Sequence, residues 1–264
     1  MKLTVLVDNN TFIDRYYFGE PAVSFLLEGD ELRVLFDAGY SDIFLQNAQK
    51  MGLDLKDLTH IVLSHGHDDH TRGLQFLPAS RAQLICHPGC FERKYDGDLY
   101  VGAPFSAKAA AKRWDFRPTK EPRWFSPSLV FLGQIPRVTG FENRSPVGQV
   151  DGPDGRTGDF LPDDSALAYR TDRGIFVITG CSHSGICNII QQAKAVCGDT
   201  RLLGVIGGFH LFEEDEQLTQ TIDYLEGCKA EMLYPCHCVS LRAKHRMMER
   251  LPVTEVGVGL TLEL

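Results

Sequence analysis

The sequence predicts a mixed α/β fold, and three observations lead to that prediction. Short apolar runs, such as residues 32–36 and 202–206, alternate with amphipathic stretches of helical period, such as residues 184–197. Glycine, proline and aspartate bound many of these runs and favour turns. Clusters of histidine and cysteine follow several runs directly, where buried strands of α/β proteins present functional side chains.

The first eighty residues contain four predicted strands and two predicted helices. Gly29 and Asp30 predict a turn before the third strand. Ser41 is a suitable N-cap for the first helix, and Gly52 ends it. The strands are expected at residues 3–7, 23–27, 32–36 and 59–63, and the helices at 41–51 and 72–77.

From Ser165 onward, strands and helices alternate. Residues 166–170 and 175–179 predict a hairpin, and residues 184–197 a helix that ends at Gly198. Residues 213–227 predict a helix with acidic residues in its first turn, where the helix dipole favours them. A buried strand is expected at 202–206, and residues 232–234, 241–250, 254–256 and 260–264 complete the pattern.

The middle segment, residues 95–162, differs from the rest of the chain. It is rich in proline and glycine, so only brief strands near 129–132 and a helix over 107–114 are expected. Ten basic and five acidic side chains lie between residues 93 and 144, within a chain whose formal net charge is -8. A loop-rich insertion of this length is more often functional than idle.

The length of 264 residues predicts a single domain with a substantial core. The net charge of -8 argues against a protein that mainly grips nucleic acid. No apolar stretch is long enough for a signal peptide or a membrane span, so we expect a cytoplasmic protein without a membrane partner. The eight cysteines are then expected to be reduced thiols or metal ligands.

The segment Ser-His-Gly-His-Asp-Asp-His, residues 64–70, is the strongest functional signal. Its three histidines cannot converge with a carboxylate from a regular helix or strand, but they can from a tight turn in which Gly66 permits unusual backbone angles. These ligand types suit zinc, iron or manganese, and one ion rarely takes four ligands from one loop. The loop therefore predicts two metal ions; the alternative is a solvated turn.

Three later clusters also follow predicted strands, and they would converge with the first loop if the strands share a sheet edge. We expect His183 and His237 to be ligands, since two ions need donors from beyond one loop. The role of His210 is left open: it is a metal ligand, a proton donor or a residue that supports a ligand by a hydrogen bond. The role of Cys181 is also left open: it is either a metal ligand or an inert buried thiol.

The cysteines on either side of His237 are expected to pack in the core. Cys236 and Cys238 flank that histidine, and in an extended segment their side chains would point away from it.

Residues His65-x-His67-x-Asp69-His70 resemble the signature loop of the metallo-β-lactamase superfamily, which also has a counterpart of residues 36–39. Further similar segments extend over nearly the whole chain. These segments are residues 63–67, 179–186, 207–211 and 235–238. Together they resemble the branch of the superfamily named after the dihydropterin–ribofuranosylaminobenzene phosphate synthase of methanopterin biosynthesis.

The resemblance implies a four-layer αββα sandwich with the metals at one sheet edge. It also implies two divalent metal ions, with zinc favoured and manganese or iron as alternatives. His65 and His67 would bind the first ion, and Asp69 and His70 the second. His237 would complete the second ion's ligands.

Two departures from the family pattern affect the first ion and the bridge between the ions. Many members have a Gly-His-Thr-like segment where this chain has residues 161–165, so we assign the missing donor to His183. Many members also have a bridging aspartate where Cys181 stands. Cys181 either coordinates one ion, as a cysteine does in some lactamases, or leaves hydroxide alone as the bridge.

The predicted chemistry is attack of a metal-activated hydroxide on a carbonyl or phosphoryl centre. Asp69 would orient the nucleophile and His210 would donate a proton to the leaving group. In the middle segment, an arginine clamp and a stacking tryptophan are predicted to bind the substrate. These substrate-binding residues are Arg113, Arg117, Arg123 and Trp124. The alternative is a solvated basic loop with buried tryptophans.

The sequence therefore predicts a metal-dependent hydrolase, or a related transferase, acting on a small anionic substrate. Two other classes remain open: an iron-dependent redox protein on the same fold, and a metal-binding sensor without catalysis. The oligomeric state is open as well, a homodimer included.

Overall fold

Two β-sheets lie face to face in the computed structural model, and helices cover their outer faces. The structure describes residues 1–29 and 31–264, so the predicted turn at Asp30 lies outside the described residues. One sheet has the strand order β17-β1-β2-β3-β4-β5-β8, and the other β16-β15-β14-β13-β10-β9. The strands are β1 (Lys2–Val7), β2 (Ser24–Gly29), β3 (Leu32–Phe36), β4 (His60–Val62), β5 (Gln83–Ile85), β6 (Lys94–Asp96), β7 (Leu99–Tyr100), β8 (Asp115–Phe116), β9 (Arg123–Trp124), β10 (Leu129–Phe131), β11 (Gln149–Gly152), β12 (Gly155–Gly158), β13 (Ala166–Thr171), β14 (Gly174–Thr179), β15 (Leu202–Gly207), β16 (Met232–Pro235) and β17 (Thr261–Glu263).

Five helices follow the predicted order with mostly shorter bounds, whereas the short helix inside the histidine loop was not predicted and the helix predicted at 72–77 is a 3₁₀ turn. Two 3₁₀ turns, at Arg72–Gln75 and Pro88–Phe91, supplement them. None of the helices in the described ranges has the length and apolar character needed to cross a bilayer. The helices are α1 (Ile43–Lys50), α2 (Asp68–Thr71), α3 (Ala107–Ala110), α4 (Ile186–Cys197), α5 (Glu216–Cys228) and α6 (Leu241–Met248).

The period-two alternation of the strands produces the four layers. In β14, Phe176 and Ile178 face the other sheet, whereas Val177 faces α4 and α5. In β3, Val34 and Phe36 likewise face the second sheet, and Leu35 packs on the α1 side. Both sheets are therefore buried on two faces, and the predicted αββα sandwich is confirmed.

Two further predicted elements differ from the structure. The helix expected at 107–114 ends at Ala110, because Trp114 is buried in the core and Asp115 begins β8. Instead of a strand at 254–256, the structure has an isolated bridge between Leu233 and Val253.

The middle segment carries a small antiparallel sheet of order β12-β11-β6-β7. This sheet contacts the histidine loop directly, since His67 bridges Gly102 and the Asp68 N–H donates to the carbonyl of Val101 at 2.9 Å. The segment thus lies beside the loop that the sequence singles out.

A buried ion cluster ties this sheet to the histidine loop. Lys94 Nζ donates to Asp159 Oδ2 at 2.8 Å and to Asp163 Oδ1 at 2.9 Å, and all three side chains are about 1% exposed. Asp163 also accepts the Gly66 N–H at 2.8 Å. Burial alone would lower the pKa of Lys94, but the two carboxylates outweigh it and raise that pKa.

We expect Lys94→Met to lower the free energy of unfolding by about 3–5 kcal/mol, because it leaves two buried carboxylates without their cation. The measurement is urea denaturation followed by circular dichroism. The matched control is Lys108→Met, an exposed lysine on α3, which should change stability by less than about 0.5 kcal/mol. Equal stability of the two variants would contradict a stabilising role for the cluster.

Candidate metal centre

The functional side chains collect where parallel strands end. β14, β15 and β16 run parallel in one sheet, and β3, β4 and β5 in the other. The loops after β4 and β14 touch: a Cβ on Gly180 would lie 2.1 Å from Ser64 Oγ, so glycine alone permits this approach. The two sheets therefore present their carboxyl-end loops to one another.

Asp37, at the end of β3, organises the histidine loop. Its carboxylate is fully buried and accepts hydrogen bonds from Ser64 N and Ser64 Oγ, both at 2.7 Å, and from His70 Nδ1 at 2.7 Å. Ser64 Oγ in turn lies 2.9 Å from His65 Nδ1. Asp37 thus fixes the ring of His70 directly and that of His65 through Ser64.

The first donor group consists of His65, His67 and His183. One ring nitrogen from each lies within 4.8 Å of the others. His65 Nε2 is 3.1 Å from His67 Nδ1, and the His183 ring stands edge-on to both rings.

His183 supplies the test of whether this group fits a metal ion. Its Nδ1 and Nε2 are both buried and find no hydrogen-bond partner among the described residues. Buried polar atoms are nearly always satisfied, and an orphaned one costs about 1–3 kcal/mol. A divalent ion held by three imidazoles would satisfy the nitrogen that faces His65 and His67, so the donor set fits a metal.

The second donor group consists of Asp69, His70, Cys181 and His237, again within 4.8 Å of one another. His70 Nε2 lies 3.2 Å from Cys181 Sγ and 3.4 Å from Asp69 Oδ2, which is 3.2 Å from His237 Nε2. Donors around one tetrahedral zinc ion are roughly 3.3–3.8 Å apart, so this spacing suits a single ion. The thiol favours zinc or iron over magnesium or calcium.

His237 reaches this group through an unusual backbone conformation. Its φ is 52°, in the left-handed region. Asp8 Oδ1 accepts its backbone N–H at 2.9 Å, and Asn9 Oδ1 lies 3.1 Å from its Nδ1. The end of β1 therefore leaves His237 Nε2 directed at Asp69.

The two groups differ in protonation. Burial and the neighbouring histidines hold the pKa of His65 and His183 well below the ordinary range, and burial lowers that of His67 to about 4. Burial opposes the charge on His70 too, but Asp69 and Asp37 outweigh it and raise its pKa well above the ordinary range. Burial, with Cys238 next to it, raises the pKa of the Cys181 thiol.

Residues 161–165, where the family motif is missing, have structural partners of their own. Asp163 joins the Lys94 cluster, and Asp164 Oδ2 accepts the N–H of Ser184 at 2.8 Å. Burial raises the pKa of Asp164 to about 6. This segment supports the loops after β4 and β14 by hydrogen bonds instead of supplying a histidine to the donor groups.

The structure brings together all seven residues for which the sequence predicts metal ligation, and His210 beside them. The His210 ring lies 4.5 Å from that of His183, and its φ of 50° turns it toward the cluster. Cys238 lies closer than expected: its Sγ donates to the Cys181 carbonyl at 3.6 Å. The extended backbone assumed from the sequence fails at His237, whose positive φ turns the chain.

The four residues predicted to bind substrate have other partners. Arg113 donates to the carbonyl of Leu77, and Arg117 pairs with Asp115 at 2.9 Å. Arg123 donates to Gln83 Oε1 at 3.1 Å, at the amino end of β5 and thus opposite the metal loops. The ring of Trp124, on the same strand as Arg123, is covered by the guanidinium of Arg170. The structure does not bring these four to the donor groups, because β8 and β9 place them elsewhere on the sheets.

Sequence reasoning missed Asp37 and Arg144. The signal for Asp37 is its position directly after β3, which matches that of the histidines after β4. Arg144 lines a cleft together with His183 and His210. Its only sequence signal was membership of the basic middle segment.

Comparison with known proteins identifies the family. The model of the metallo-beta-lactamase superfamily matches residues 17–237. The chain therefore belongs to the metallo-beta-lactamase superfamily, which confirms the resemblance seen in the sequence.

Individual relatives cover almost the whole chain. An uncharacterized protein of Methanocaldococcus jannaschii is 31% identical over 252 residues, 94% of each chain. The 7,8-dihydropterin-6-methyl-4-(beta-D-ribofuranosyl)-aminobenzene-5'-phosphate synthase of the same organism is 27% identical over 269 residues, 94% of this chain and 91% of that one. The crystal structure of Tm1679, described as a metal-dependent hydrolase of the beta-lactamase superfamily, matches with a TM-score of 0.87 and 30% identity, over 100% of this chain and 99% of that one.

We expect Asp37→Asn to weaken zinc binding about 10- to 100-fold, because the amide cannot hold both Ser64 and His70 as the carboxylate does. Competition with a chromogenic chelator measures the affinity. Asp172→Asn, an exposed aspartate in the β13–β14 turn, serves as the control and should bind zinc as the wild type does. Unchanged affinity in Asp37→Asn would contradict the role assigned to Asp37.

We also expect the two donor groups to differ in pH dependence. His65, His67 and His183 are already unprotonated at pH 6–8, so zinc binding there should release no proton and depend little on pH. His70 and Cys181 hold protons that zinc must displace, so affinity there should rise about tenfold per pH unit for each proton released. Calorimetry in buffers of different ionisation enthalpy counts these protons. Equal release for both equivalents of zinc would contradict the expected difference.

Proposed function

We propose that this protein is a metal-dependent hydrolase that uses two divalent ions and acts on a small anionic molecule. One observation carries the proposal: two compact donor groups of different composition lie side by side, with the His65 and His70 rings 4.2 Å apart. Two clefts open beside them, one lined by His183 and His210 and the other by His67 and Asp69.

His65, His67 and His183 would hold one ion, and Asp69, His70, Cys181 and His237 the other. Zinc is the favoured metal, since the second group includes a thiol. Such a pair of ions supplies Lewis acidity and a hydroxide nucleophile at neutral pH.

Asp69 is placed to orient the nucleophile. Burial alone would raise its pKa, but the charge of His70 and hydrogen bonds from His237 and His70 hold that pKa well below the ordinary range. Its carboxylate therefore stays ionised at neutral pH, and it accepts a hydrogen bond from an attacking water.

His210 is placed to stabilise the leaving group. Its ring lines the larger cleft next to His183. Burial, with His237 nearby, lowers the pKa of His210, so its imidazole is neutral at pH 7. Its remaining N–H then donates a hydrogen bond to a departing oxygen, instead of acting as the imidazolium acid that the sequence suggested.

A transferase is the second candidate function. It is favoured by the 27% identity to the synthase of M. jannaschii, whose product name contains a ribofuranosyl 5'-phosphate. The same metal centre would serve either reaction, because both develop negative charge on oxygen.

We expect two zinc or manganese ions per chain in protein purified without chelator, measured by elemental mass spectrometry. His183→Ala should reduce this to about one, while His245→Ala, an exposed histidine on α6, should retain two. A single iron with a visible absorption band would contradict the proposal and favour a redox protein.

Asp69→Ala should lower hydrolysis of chromogenic phosphate and carboxylate esters at least about 100-fold, with an unchanged circular dichroism spectrum.

A further inference from the structure

The two clefts beside the metal centre carry opposite charge. Val147 lines both of them and separates one from the other. The first, which we call the arginine cleft, is lined by Asn143, Arg144, Ser182, His183, His210 and Gln217 among others, with no carboxylate. The second, the aspartate cleft, is lined by Asp68, Asp69 and Asp96 together with His67 and Tyr95. Arg144 thus gives the first cleft a positive charge, whereas Asp68 and Asp96, which belong to neither donor group, place negative charge along the second.

Arg144 is available to a ligand. Its side chain is exposed, and its Nε donates to the carbonyl of Gly140 at 2.8 Å. Within the described part of the chain it makes no ion pair, unlike Arg117 or Arg156, which face aspartates. The two Nη groups are thus free to donate in parallel to one oxyanion.

The loop that carries Arg144 is held firmly on the metal-centre side. Glu142 is buried, and its carboxylate accepts the N–H groups of Cys187 at 2.9 Å and Asn188 at 3.0 Å, in the first turn of α4. Asn143 Nδ2 donates to the carbonyl of His183. The backbone on the amino side of Arg144 is therefore fixed against the loop that supplies a predicted ligand.

This arrangement also excludes a competing anion site. The first N–H groups of a helix commonly bind phosphate. In α4 the carboxylate of Glu142 already occupies them, and a Cβ on Gly185 would collide with that carboxylate at 2.3 Å. In the arginine cleft, the guanidinium of Arg144 is left to recognise the anion.

We propose that Arg144 binds the anionic group of the substrate in the arginine cleft, so that the reacting bond lies over His183 and His210. The proposal rests on the proposed function and narrows its substrate class to small molecules with a phosphate or carboxylate that does not itself react. The uncharged remainder of the substrate extends over Val147, because Asp68 and Asp96 on the far side of Val147 disfavour a second anionic group.

The first test is direct binding of inorganic phosphate and of acetate to the protein as purified, measured by isothermal titration calorimetry. Arg144→Gln should weaken binding of the preferred anion about 10- to 100-fold, and Arg144→Lys less, since lysine keeps the charge but not the two parallel donors. The control is Arg156→Gln, which changes an exposed arginine of the same middle segment that pairs with Asp151. This variant should bind the anion with the same affinity as the wild type. A larger loss of phosphate binding than of acetate binding in Arg144→Gln identifies a phosphate substrate, and the reverse a carboxylate.

The second test separates binding from chemistry. For any ester that the wild type hydrolyses, Arg144→Gln should raise KM for the anionic form about 10- to 100-fold with little change in kcat, and should not affect a neutral analogue. Anion binding that is absent from the wild type, or equal in wild type and Arg144→Gln, overturns the proposal. Calorimetry needs no turnover, so a protein that binds anions through Arg144 but hydrolyses nothing refutes only the proposed hydrolase function.

Discussion

The buried carboxylate of Asp37 is the constraint on which the metal centre depends. It holds the end of β3 against the loop after β4 through two hydrogen bonds to Ser64, and it fixes the ring of His70 through a third. Through Ser64 it also positions His65, so one side chain supports a residue of each donor group. A carboxylate with no exposed surface is stable only when its oxygens are satisfied, which makes the loop conformation and the packing of Asp37 mutually dependent.

The two donor groups are chemically different although they lie side by side. The first contains three neutral imidazoles, of which His183 finds no hydrogen-bond partner among the described residues. The second contains a carboxylate, a thiol and two imidazoles, in which Asp37 and Asp69 favour a charged His70. The thiol in the second group is that of Cys181, whose Sγ lies 3.2 Å from His70 Nε2. We infer that the two positions differ in metal preference as well as in proton release.

Two sets of buried contacts hold the middle segment beside the candidate metal centre. Its small sheet is fastened to the histidine loop by the buried Lys94 cluster, and its later part is fastened to α4 by Glu142. The segment therefore approaches the candidate metal centre in a fixed position. The separation of charge between the two clefts follows from this, since Arg144 and Asp96 both come from the segment but stand on opposite sides of Val147.

The sequence by itself determined the fold class and the identity of the metal loop, because strand periodicity and a cluster of ligands within six residues are local patterns. The sequence predicts His183 near His65 and His67 on the assumption that their strands share one sheet edge. That assumption is wrong, because β4 and β14 lie in different sheets, and the packing of the two sheets brings their loops together. Only the tertiary structure decided which arginine stands near the site: Arg113, Arg117 and Arg123 have the same local signal as Arg144, but β-pairing carries them to other parts of the sheets. It likewise decided the position of Cys238, since the left-handed turn at His237 depends on hydrogen bonds to Asp8 and Asn9, more than 200 residues away in the chain.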